Sequence, residues 1–94
     1  MIKDKKSAPQ PTRTELNILN VLWANGPSTV REVHEALTAV DASGYTTALK
    51  MLQVMHQKGL VRRDDSQRAH VYMPAISKDQ TRNQFLQDLA DRLF

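Results

Sequence analysis

The 94-residue sequence predicts a single, mainly α-helical domain carrying one small β-hairpin. Three observations support this. Thr12 with Glu15, Thr29 with Glu32 and Ser77 with Gln80 are each spaced as a capping box, and each opens a run with apolar residues at helical period. Gly59 and the Asn25-Gly26-Pro27 triplet stand where such runs should stop. Residues 60–63 and 69–73 read as two short strands with a polar turn, Asp64-Asp65-Ser66-Gln67, between them.

Taken in order, residues 1–11 are rich in Lys, Ser, Pro and Gln and are expected to form a flexible arm. The first helix begins after Thr12 and turns Leu16, Leu19, Leu22 and Trp23 inward. The second is short and buries Val30, Val33 and Leu37. Asp41-Ala42-Ser43-Gly44 is a turn, and a third helix runs from about Tyr45 to Lys58. Pro74 is expected to close the hairpin, and the last helix starts at Ser77. Helix, helix, helix, hairpin, helix is the order of a winged helix-turn-helix, with a two-stranded wing and a C-terminal helix. The expected division is an arm at 1–11, a winged-helix domain at 12–76 and a C-terminal helix at 77–94.

Composition narrows the function. Hydrophobic residues make up 40% and charged residues 24%, as in a globular domain. No apolar run approaches the roughly 20 residues that a membrane span needs. The first residues lack the apolar core of a secretory signal, so a cytoplasmic protein without a membrane partner is expected. Cysteine is absent, which excludes disulfides, thiolate metal sites and a cysteine nucleophile. His34, His56 and His70 fall on separate elements without metal-ligand spacing, and no glycine-rich phosphate loop exists. No enzyme, cofactor or metal site is expected.

The third helix holds the candidate site. At about 100° per residue, Ala48, Leu52 and Met55 share one face, with Tyr45 and Met51 at its edges. Thr46, Lys50, Gln53 and Gln57 gather opposite, beside Thr47. That outer face offers hydroxyls, amides and a cation, groups able to meet phosphates and base edges in a major groove. Any amphipathic helix has a polar face, so charge must decide. Between Asp41 and Asp64 there is no acidic residue, while Lys50, Lys58, Arg62 and Arg63 add four positive charges. Arg68 follows beyond the hairpin turn, and the net charge is +3. Acidic residues fall elsewhere: Glu15, Glu32 and Glu35 early, Asp79, Asp88 and Asp91 late. Such asymmetry suits a polyanion approaching the third helix and wing. Asp64 and Asp65 weaken the field at the turn itself, which leaves Arg68 as the candidate wing contact. Tyr72 and Trp23 are expected in the core.

The sequence resembles the penicillinase-repressor (BlaI/MecI) family of transcriptional regulators from about residue 11 to residue 94. The resemblance rests on residues 15–23 (ELNILNVLW), 30–37 (VREVHEAL), Tyr45-Thr46-Thr47, Lys58-Gly59-Leu60-Val61 and 68–74 (RAHVYMP), in that order. It implies a repressor that binds a palindromic double-stranded operator as a homodimer. The candidate DNA-binding residues are Tyr45, Thr46, Thr47, Lys50, Gln53, Arg62, Arg63 and Arg68. Thr46 and Thr47 match the family's recognition-helix threonines, and Arg68 matches its wing arginine. Lys50 stands where relatives often carry a small polar residue, which implies different preferred bases, and Val54 replaces a common arginine.

On the last helix Phe85, Leu89 and Leu93 recur at four-residue intervals, with Leu86 and Phe94 beside them. This seam either packs on its own domain or pairs with a second chain. As a dimer element it comprises Phe85, Leu86, Leu89, Leu93 and Phe94. Relatives continue into further helices, so a dimer resting on this seam is expected to be weakened. The competing reading is a winged helix that docks a protein through its last helix. A small-molecule sensor is a third, for which so short a chain has little room.

Overall fold

A computed structural model describes residues 10–38 and 44–93. Most of the expected arm, residues 41–43 of the expected turn, and Phe94 lie outside the described residues. The elements are α1 (Arg13–Asn25), β1 (Ser28–Thr29), α2 (Val30–Leu37), α3 (Tyr45–Lys58), β2 (Val61–Asp64), β3 (Val71–Pro74) and α4 (Lys78–Leu93).

All three capping boxes form. Thr12 caps α1: its hydroxyl accepts from the Glu15 amide at 3.2 Å, and the Glu15 carboxylate accepts from the Thr12 amide at 2.9 Å. Thr29 and Glu32 repeat the arrangement on α2, and Ser77 and Gln80 at the start of α4. At the other end of α3, Gly59 takes a left-handed conformation at φ 82°. Its amide donates to His56 and that of Leu60 to Met55, the pair of bonds of a Schellman turn. Nothing crowds a side chain there, so backbone conformation alone selects glycine.

The expected hairpin is β2–β3, with β2 one residue later than the pattern suggested and β3 starting two residues later, and Pro74 is the last residue of β3 rather than a stop after it. The sheet, however, has three strands in the order β1-β3-β2. Ser28 and Thr29 pair antiparallel with Tyr72 and Val71. Thr29 does two jobs with one conformation: the extended backbone of a helix N-cap is also that of a strand. Two residues are too few to show an alternation, so the sequence pattern did not reveal this strand.

The core lies among α1, α2, α3 and the base of the sheet. Ile18, Leu22, Val33, Leu52 and Met55 are at most 1% exposed. Burial of each such side chain contributes about 1.5–3 kcal/mol. Leu16, expected inward, is only half-buried, and Ile18 occupies the core in its place. Tyr72 is fully buried, as expected. Trp23 is half-buried against the core, and its indole Nε1 donates to the Ile76 carbonyl at 3.0 Å, pinning the link between β3 and α4 onto α1.

One carboxylate ties the outer helices of the core. Glu15, 1% exposed, receives the Lys58 ammonium at 2.8 Å, joining the first turn of α1 to the last turn of α3. Burial alone would push its carboxyl up, but Lys58 and Thr12 together outweigh burial and hold it below its ordinary value. A depressed folded-state value contributes stability above the unfolded pKa, near 4.5, and that contribution is lost as pH falls through the folded value. Denaturant melts should therefore show Glu15→Ala destabilised by about 1–3 kcal/mol at neutral pH. Glu15→Gln should lose less stability than the wild type between pH 7 and pH 3, and equal losses would show that the ion pair contributes nothing.

Candidate nucleic-acid interface

The N-terminal half of α3 is presented to solvent. Its cap, Gly44, has no side chain with which to satisfy the first-turn amides, and no acidic residue stands in that turn. The helix end is thus left electropositive. Ala48, Leu52 and Met55 anchor the helix from beneath, while Thr46, Thr47, Lys50, Gln53 and Gln57 are all exposed. The pattern expected from the sequence is the one observed. Tyr45 opens the helix, 47% exposed, and its ring meets His34 of α2 edge-on with centroids 6.0 Å apart.

The wing sorts the arginines that the sequence left together. Successive residues of a strand face opposite ways. Arg63, opposite Tyr72 in the register, turns toward the inner face and is half-buried. Its Nε lies 2.7 Å from the Asp65 carboxylate, close enough to pair but without hydrogen-bond alignment. Contact with Tyr72, then with Asp65, raises the guanidinium above its ordinary pKa. His70 Nδ1 approaches the same carboxylate at 3.7 Å. Arg63 and Asp65 therefore pair with one another at the wing, Asp65 on its exposed side. The Ser66 hydroxyl, and after it the Ser66 amide donating at 2.9 Å, hold the Asp64 carboxyl below its ordinary pKa in a local turn. Arg62 is exposed on the other face, where it lines a shallow groove with Trp23, Ile76 and Lys78. No residue of α3 lines that groove.

Arg68 does lie near α3. It lines a notch of about 420 Å³ whose walls are the first turns of α2 and α3 and the β3 end of the wing. Tyr45, Leu49, His70 and Tyr72 also line it, and so does Arg31 of α2. Arg31 was not singled out from the sequence, because its charge sits between Glu32 and the neutral 28–30 segment. Only the fold brings it beside Arg68.

Phe85, Leu86, Leu89 and Leu93 are 37%, 58%, 54% and 69% exposed, and Thr81 is the sole buried residue of α4 among those described. Leu86, Leu89 and Leu93 are thus open to solvent, while Phe85 stands partly sheltered beside α1. Leu16, Trp23, Phe85 and Leu86 line an open apolar groove between α1 and α4. Among the described residues, no three His, Asp or Glu side chains converge as metal ligands would. No helix among them is long and apolar enough to cross a membrane.

Comparison with known proteins agrees with this geometry. The family model described as Penicillinase repressor matches residues 11–94. Transcriptional regulator BlaI of Mycobacterium tuberculosis, in strains CDC 1551 / Oshkosh and ATCC 25618 / H37Rv, is 40% identical over 67 residues, covering 70% of this chain and 49% of the relative. The chain thus spans about half the length of the curated relatives it matches. Among solved structures, it is similar to the Bacillus licheniformis BlaI monomeric form in complex with the blaP half-operator. The TM-score is 0.68 at 26% identity, covering 81% of this chain and 93% of that one. The solution structure of the DNA binding domain of the repressor BlaI matches with the same values.

Proposed function

The chain belongs to the penicillinase repressor family, a family of transcriptional regulators rather than enzymes, and we propose that it is itself a sequence-specific DNA-binding repressor. The observation that carries this reading is the outer face of α3, where Thr46, Thr47, Lys50 and Gln53 are exposed together on a helix that bears no carboxylate. In this reading α3 enters the major groove. Thr46 and Thr47, in its first turn, reach base edges and thymine methyls, while Lys50 and Gln53 read one turn further along. Arg68 holds the flanking phosphates from the wing. Arg62 and Arg63, candidates from the sequence, contribute less: one lines a groove to which α3 adds no residue and the other is paired with Asp65. Such a repressor works beside the chromosome, in the cytoplasm.

The partner of the α4 seam is a second copy of the chain. The similar BlaI monomer is bound to a half-operator, and a half-site implies a whole one occupied by two protomers. Leu86, Leu89 and Leu93 form a stripe at helical spacing, each more than half exposed, which a two-fold pairing of α4 helices would cover.

Fluorescence anisotropy tests the reading on a palindromic duplex built from two blaP-type half-sites and on its scramble. Thr47→Ala or Lys50→Ala should weaken the palindrome by about 1–3 kcal/mol and flatten the preference over the scramble. Equal loss on both duplexes would refute a base-reading role. Sedimentation should show a concentration-dependent dimer that Leu89→Asp shifts to monomer. A wild-type chain that stays monomeric at high concentration would refute the α4 pairing.

A further inference from the structure

We infer that Arg31 and Arg68 form a two-sided clamp on the phosphates of one DNA strand, with Tyr45 between them, so that α2 grips the backbone while α3 reads the bases. The inference rests on the DNA-binding reading above and adds a contact that the sequence pattern did not suggest.

Arg31 and Arg68 are 37 residues apart in sequence, yet both line the notch beside the start of α3. Both are exposed, and among the described residues no carboxylate lies within ion-pair distance of either. Nothing in α2 accounts for an arginine at this position. The helix is already capped by Thr29 and Glu32, and a cation in a first turn opposes the helix dipole. Tyr45, 47% exposed and with its ring edge-on to His34, lines the same notch and adds a phenol as a further donor toward a phosphate oxygen. On the wing, Asp65 is already engaged by Arg63 and Asp64 by Ser66. The notch is therefore a concave surface lined by two arginines, suited to a polyanion strand lying alongside α3.

The test is the salt dependence of binding to the palindromic and scrambled duplexes. Each phosphate contact contributes about 0.9 to the slope of log affinity against log salt. Arg31→Ala should therefore lower the slope by about one on both duplexes, shrinking the affinity lost between about 50 and 200 mM salt some 3.5-fold, with the preference for the palindrome kept. Arg68→Ala should do the same and the double variant should lower it by about two. Arg31→Lys, which keeps the charge, should restore the slope, separating a lost contact from a damaged fold. Arg82→Ala on α4 serves as the control and should leave it unchanged. A wild-type slope for Arg31→Ala, while the wild type still prefers the palindrome, overturns the clamp alone. Salt-dependent binding without preference overturns base reading and leaves the clamp to be judged by the same slopes. No salt-dependent binding to either duplex overturns both.

Discussion

The Glu15 carboxylate is the constraint on which the presented surface depends. It is buried, and an unpaired charge there would be costly. One oxygen accepts the Thr12 amide and the other the Lys58 ammonium, so it is satisfied only when the start of α1 and the end of α3 stand in their observed relation. A slip of α3 by one turn would strand the charge, which makes the ion pair a device for register more than for raw stability. Beyond it, Gly59 and Leu60 turn the chain into β2, and the Leu60 carbonyl accepts the Ala75 amide at the base of the wing. With its C-terminal end held on both sides, α3 is free to project its N-terminal half.

The charges of the wing are ordered by the same logic. Four basic residues between Lys50 and Arg63 form one cluster in sequence, but the fold gives each a different task. Lys50 remains on the outer face, Lys58 neutralises Glu15, Arg63 neutralises Asp65, and Arg62 points to the opposite side of the sheet. Net positive charge is thus a poor guide to which residues meet a partner. The cations left on the presented side are Lys50, Arg68 and Arg31, and the last is supplied by a helix whose sequence looked acidic.

Much of the fold was legible because its signals are local. Capping boxes act over three residues, a Schellman glycine over six, and the burial of Ala48, Leu52 and Met55 follows from helical period alone. The outer face of α3 was legible for the same reason. What could not be read depended on long-range pairing. Strand β1 exists only because Tyr72 and Val71 lie across from it. The separation of Arg62 from Arg63 depends on which strand face meets the core, and the approach of Arg31 to Arg68 on the docking of α2 beside the wing. Ile18 lies in the core, whereas Leu16 lines the open groove between α1 and α4, a placement that depends on how α4 docks.

The most direct test of the central claim, that DNA is read by α3 and gripped across the notch, is a titration of the isotope-labelled chain with the palindromic duplex, following backbone amides by NMR. The account predicts the largest shifts from Gly44 to Gln53, with a second group at Arg31 and around Arg68, and little change in the middle of α1. Shifts concentrated on the α4 seam, with α3 unmoved, would contradict it and assign the nucleic-acid surface elsewhere.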